Sequence, residues 1–152
     1  VLDLCKPLLD IARARVEHNG WEDIVELVEG DATDSTLIGR GLPKAGTVDV
    51  VTFSYSLTMI PDWEASLDIA YRLLKPGGHI AIGDFTITPD MSLFTRTVWP
   101  FFFSMDHVNL NLEHIPALRE RFSEITCKTA YGGFPYLNFI DVPYYHFVGR
   151  KE

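Results

Sequence analysis

Apolar runs alternate with helically spaced apolar positions over roughly the first 85 residues of the 152-residue chain, the pattern that βα units leave when they build a mainly parallel sheet. Val1-Leu2-Asp3-Leu4 reads as a strand tip. From Leu8 to His18, Leu8, Leu9, Ala12 and Val16 recur at helical spacing, and Asn19-Gly20 stops the helix. A second strand is expected over Ile24 to Val28, ending at Gly30-Asp31-Ala32. Between Thr33 and Thr47, Gly39, Gly41, Pro43 and Gly46 leave room for a short helix at most. Val48 to Phe53 is so nearly continuous in apolar character that it predicts a strand buried on both faces. Pro61-Asp62 opens a helix that turns Leu67, Ala70 and Leu74 to the sheet, with Lys75-Pro76-Gly77-Gly78 as its stop. His79 to Gly83 is a fourth strand, delivering Asp84 to its carboxyl end.

The pattern changes after Asp84. Pro89 to Phe103 mixes aromatics, Pro and Thr without clean periodicity, so residues 86–116 are expected to form an insertion over the sheet edge on the substrate side of one domain spanning residues 1–152. Ile115 to Phe122 predicts a short helix, and Ile125 to Tyr131 with Tyr144 to Val148 an antiparallel hairpin around Gly132-Gly133.

Composition narrows the class. With 47% hydrophobic and 22% charged residues the chain has enough apolar material for a core and does not read as disordered or fibrous. Thirteen basic against 21 acidic residues give a net charge of -8, which repels phosphate polyanions and argues against a nucleic-acid partner. No stretch approaches the ~20 apolar residues of a membrane span. Cys5 and Cys127 lack metal-ligand spacing, which fits a reducing, cytoplasmic setting. His18, His79, His114 and His146 have no spacing that suggests a metal either.

In an open α/β sheet, ligands collect at the carboxyl ends of the strands. Those ends here are Asp3, Gly30-Asp31-Ala32, Ser54-Tyr55-Ser56 and Asp84. A carboxylate there can accept both hydrogens of a ribose diol, and Asp31 is placed for an exocyclic adenine amine; Asp in such places also serves simply as a turn residue or cap. The apolar-Asp-Leu opening, Gly30-Asp31-Ala32, the strand Val48-Asp49-Val50-Val51 and Leu73-Leu74-Lys75-Pro76-Gly77-Gly78 together resemble the class I S-adenosylmethionine-dependent methyltransferases across residues 1 to 85. The resemblance implies a Rossmann-like sheet with a C-terminal antiparallel hairpin, S-adenosyl-L-methionine as cofactor, and Asp3, Leu4, Asp31, Ala32, Ser54 and Tyr55 as the residues that bind it. The glycine-rich loop that this fold carries after its first strand has no counterpart in the sequence. The expectation is therefore a domain lacking that strand and loop, with a non-catalytic fragment or degenerate interaction module as the competing reading.

Phe53-Ser54-Tyr55-Ser56-Leu57-Thr58-Met59-Ile60-Pro61-Asp62-Trp63 further resembles the methyltransferase part of betaine lipid synthases, as do Gly83-Asp84-Phe85, Asp106-His107-Val108-Asn109-Leu110 and Pro143-Tyr144-Tyr145-His146-Phe147-Val148-Gly149. What this implies is three successive methyl transfers to the amine of diacylglyceryl-homoserine, in lipid metabolism, with an aminocarboxypropyl transferase as fused or separate partner. Peripheral contact with an internal membrane such as the endoplasmic reticulum follows from that substrate. A small soluble amine is the alternative acceptor. His107, which titrates nearest neutrality, with Asp106 beside it, is the candidate for easing amine proton loss, and Tyr55 points its ring or hydroxyl at the amine. Met59, Trp99 and Tyr145 are expected at the substrate. Val98-Trp99-Pro100-Phe101-Phe102-Phe103 offers aromatic faces to a quaternary ammonium, a surface for a membrane or acyl groove, or plain core.

Overall fold

The fold was analysed in a computed structural model, which describes all residues except 90, 106, 107, 135 and 136, and except the side chains of 94, 95, 102, 104, 133, 134 and 137–141. The elements run β1 (Leu2–Asp3), α1 (Lys6–Asn19), β2 (Val28–Glu29), a 3-10 turn (Ser35–Leu37), β3 (Val48–Ser54), a second 3-10 turn (Leu57–Met59), α2 (Trp63–Leu73), β4 (Leu74–Phe85), α3 (Leu93–Ser104), α4 (His114–Arg121), β5 (Ser123–Phe134) and β6 (Leu137–Arg150).

The helices begin and end where local chemistry demands. Pro7 sits in the first turn of α1, where a missing N–H costs nothing, and Gly20 takes the left-handed conformation (φ 66°) that closes it. Asp62 caps α2 by accepting the Ala65 N–H at 3.1 Å.

The strands form two groups. β1 and β2 pair in parallel as a two-stranded piece, and β3-β4-β6-β5 form a mixed sheet with β3 parallel to β4 and β6 antiparallel to both its neighbours. Between β1 and β3 lies a groove of about 330 Å3 walled by Leu2, Val50, Val51 and Phe53 and floored by Ile69, Ala70 and Leu73 of α2. Most of the core lies on the mixed sheet, where Leu57, Leu67, Ala70, Leu74, Ile80, Ile82, Ile115, Leu118, Phe122, Tyr145 and Phe147 form one buried cluster. A smaller cluster joins Phe103, Val108 and Val142.

Several expectations need correction. The second strand is only Val28–Glu29, because residues 21–24 spend their hydrogen bonds in a turn, with Trp21 O accepting from the N–H groups of Ile24 and Val25. β3 is not buried on both faces: Val50 is 52% exposed, because its outer edge borders the groove. The Lys75-Gly78 stop belongs to β4, held by Gly77 N–H donating to Lys151 O and Lys151 N–H to Gly78 O, both at 2.8 Å. The stretch read as aperiodic contains α3, a helix with Pro100 inside it that turns Leu93 and Phe101 to solvent. Gly132-Gly133 lies within the β5–β6 ladder, opposite Val142 and Asp141, rather than at its tip.

Candidate functional site

Asp3 closes β1 and Asp31 follows β2 by two residues, so both lie at the carboxyl ends of adjacent parallel strands, with Gly30 N–H donating to Asp3 O at 3.1 Å. Each carboxylate first organises its own loop. Asp3 Oδ1 accepts the Cys5 N–H at 2.8 Å, and Asp31 Oδ1 accepts both the N–H and the hydroxyl of Thr33 at 2.8 Å. These short-range turns fix the carboxyl planes with one oxygen. The second oxygen of each makes no hydrogen bond among the described residues, so two acceptors stand ready for hydroxyl or amine donors of a nucleoside. The donor chemistry therefore fits the ribose and adenine of S-adenosylmethionine. Leu4 is 71% exposed beside Asp3. Ala32 and Ser56 line the groove, which brings the loop after β2 and the turn after β3 to one opening. A larger cavity of about 680 Å3 lies between the end of α1 and residues 22–27. It holds none of the expected site residues.

The turn after β3 is the most constrained backbone in the site. Tyr55 has a positive φ of 50°, costly for a bulky residue, and its N–H donates to Gly83 O at 2.7 Å. Its ring, half exposed, meets Phe85 at 5.1 Å between centroids. From there the rings continue: Phe85 to Phe103 at 4.7 Å and Phe103 to Trp99 at 5.8 Å. Tyr55, Phe85, Phe103 and Trp99 thus make an aromatic ladder from the end of β3 across the end of β4 to α3. Ser54 and Met59 are exposed on either side of Tyr55 in sequence.

Behind the ladder, Asp84, expected at a ligand-collecting strand end, is paired with Thr58, a partner the sequence did not point to. Asp84, fully buried, accepts the Thr58 N–H at 3.1 Å, the Thr58 hydroxyl at 2.7 Å and the Phe85 N–H at 2.8 Å. Burial pushes its carboxyl pKa up, against the hydrogen bonds that pull it down. Phe85 was missed too, although an aromatic directly after a strand-end acid is visible in the sequence. The Thr58 partnership carries no such signal, since 26 residues separate it from Asp84.

Tyr145, expected at the substrate, is closed to solvent. It is fully buried in the main core, because β6 runs between β4 and β5 under the cover of α4, and its hydroxyl has no partner among the described residues. Burial raises its pKa, with Asp84 adding to the effect. Trp99 is half-buried at the far rung of the ladder. Asp106 and His107 lie outside the described residues.

The comparisons with known proteins agree with this geometry. A family model described as "Methyltransferase domain" matches residues 1–82. The ubiquinone/menaquinone biosynthesis C-methyltransferase of Ruegeria sp. (strain TM1040) is 35% identical over 94 residues, which is 61% of this chain and 35% of that protein. The chain therefore spans about a third of that relative's length. Among solved structures, a candidate methyltransferase from Bacillus halodurans C-125 superposes with a TM-score of 0.79 at 18% identity, over 99% of this chain and 81% of that one. Geranyl diphosphate C-methyltransferase from Streptomyces coelicolor A3(2), solved with S-adenosyl-L-homocysteine, gives 0.76 at 14% identity over 99% of this chain and 64% of that one.

Proposed function

The chain belongs to the methyltransferase domain family, with the Rossmann-like fold of the class I S-adenosylmethionine-dependent enzymes, and for its acceptor we propose a lipid-borne amine, the headgroup amine of diacylglyceryl-homoserine. The observation that carries this reading is the aromatic ladder at the carboxyl end of the sheet. Aromatic faces attract an ammonium by about 0.5–2 kcal/mol, with no need for a buried counter-charge. An acceptor that gains methyls stays attracted to such a wall, which suits successive transfers. S-adenosylmethionine supplies a sulfonium-bound methyl for in-line displacement. The chain's own part is to hold the nucleoside through Asp3 and Asp31 and to hold the amine, its lone pair forward, against Tyr55 and Phe85. His107 and Asp106 keep their proposed role in taking up the amine proton, and an aminocarboxypropyl transferase is the partner that would supply the substrate.

The outer face of α3 supports a lipid acceptor. Leu93 and Phe101 on that helix and Met105 just beyond it are largely exposed beside the ladder, an apolar landing for acyl chains or a bilayer surface. No helix among the described residues is long and apolar enough to cross a membrane.

A second reading is favoured by the Ruegeria relative, whose description is that of a C-methyltransferase of quinone biosynthesis. A flat ring stacks on the same ladder. The two separate when the full-length polypeptide is supplied with S-adenosylmethionine labelled in the methyl group and offered micellar diacylglyceryl-homoserine or a demethylated menaquinol. Mono-, di- and trimethylated headgroups by mass spectrometry are expected. Label found only on the quinol ring would replace the amine reading with ring methylation.

A further inference from the structure

We propose that Asp84 is a positioning residue for the methyl acceptor: through Thr58 it holds the turn after β3 in the conformation that sets Tyr55 against Phe85. This deepens the function proposed above and rests on it for the identity of the acceptor.

Buried carboxylates are tolerated when donors surround them, and the donors of Asp84 are distributed with a clear bias. One is the N–H of the next residue; the backbone N–H and hydroxyl of Thr58 are two more, and the Leu57 N–H beside them in the same turn also favours the charged form. The turn is thereby fastened to β4 at two points three residues apart, Tyr55 N–H on Gly83 O and Thr58 on Asp84. Thr58 O also accepts the Asn109 N–H at 2.8 Å, which ties the segment after α3 to the same residue. Strained non-glycine backbone such as that of Tyr55 persists only where its surroundings over-determine it. The Thr58 fastening is the part of that restraint made by a side chain, and it joins the turn that carries Tyr55 to the end of β4 that carries Phe85. Asp84 has no contact with the acceptor to offer, since it is closed to solvent.

The experiment uses the full-length enzyme with Thr58→Val, which keeps the shape and deletes the hydroxyl, and Thr58→Ser, which keeps the hydroxyl. A hydrogen bond to a buried charge is worth roughly a tenfold change or more. Thr58→Val should raise the acceptor KM about tenfold while the S-adenosylmethionine KM stays within about twofold, and Thr58→Ser should restore the wild-type acceptor KM. Amides from Tyr55 to Met59 should exchange with deuterium about tenfold faster in Thr58→Val, with β4 and β6 unchanged. An unaltered acceptor KM, equal losses for both substrates, or Thr58→Ser behaving as Thr58→Val would overturn the proposal. The acceptor is whichever of the two lipids the wild type methylates. If it methylates neither, the acceptor assignment fails and the exchange measurement alone decides the fastening, with unchanged protection over Tyr55 to Met59 overturning it. Should Thr58→Val not fold, Thr58→Cys, with its weak S–H donor, is read on the same scales with an expected change of about threefold.

Discussion

The first 47 residues and the remainder of the chain hold their functional groups by opposite means. In the first, Leu9 and Val16 are the only large apolar side chains in the buried core, while Leu4, Leu8, Ile11 and Ile24 are all more than half exposed. Asp3 and Asp31 keep their places through turns that span two residues each. In the second, one cluster from Leu57 to Phe147 joins α2, β4, α4 and β6, and the ladder residues Phe85, Phe103 and Trp99 pack in a smaller cluster with Val108 and Val142. The strand-end acids proposed for the cofactor are set by local hydrogen bonding, and the aromatic residues proposed for the acceptor by contacts between distant segments. Damage to the two regions should therefore be read out differently, as lost affinity in one and lost stability in the other.

The largest expected effect is in the packed half. Phe147→Ala removes a fully buried ring from the middle of the sheet and should cost about 3–5 kcal/mol in urea unfolding. Leu9→Ala should cost clearly less, and equal losses would erase the distinction. Next comes acid sensitivity. His114 is buried against Trp63, and burial lowers its pKa to about 4 from an ordinary 6.5. Unfolding then takes up a proton between those values, so stability present above pH 6.5 is lost as pH falls towards 4, by roughly 3 kcal/mol. Asp84, raised rather than lowered, works in the opposite sense at the acid end of that window. Unfolding curves of wild type and His114→Phe from pH 7 to 4 isolate the histidine's share, and parallel curves would deny it. In the open half, Asp31→Ala should weaken S-adenosylmethionine binding by calorimetry about tenfold or more, the worth of a charge-assisted hydrogen bond, with a stability change below about 1 kcal/mol. Loss of folding without loss of affinity would reverse the assignment. The smallest effect concerns the ion pairs of Arg121 with Asp68 and Glu64, at 3.0 and 3.3 Å, which link α4 to α2 across exposed carboxylates. Arg121→Ala should cost no more than about 1 kcal/mol, and less in high salt.

Much of this arrangement was legible in the sequence because it is local. The strand-end acids, the Asp62 cap, the Gly20 stop and the succession of βα units each depend on neighbours within a few residues, and the structure has them. α3 was not legible, since Pro100 lies inside it and its mixture of aromatics, Pro and Thr reads as irregular chain. Nor was the length of β4, because Lys75-Pro76-Gly77-Gly78 reads as a break and is drawn into the sheet by residues from the far end of the chain. The burial of Tyr145 was not legible for the same reason: only the insertion of β6 between β4 and β5 covers it. The fastening of Thr58 to Asp84 joins two ordinary residues, and nothing but the fold brings them together.

That insertion of β6 has a consequence for how the molecule is made. Both neighbours of β6 precede it in the chain, so β4 and β5 have no common partner until residues 137–150 arrive between them. During synthesis the sheet waits with an open centre, and contacts as distant as His79 with Arg150 must close before it is whole. Pairings of that sequence separation fold slowly and expose apolar strand edges while they wait. Insertion of β6 is thus the long-range closure of this sheet, and until it happens β4 and β5 present open edges on which a nascent chain can mispair.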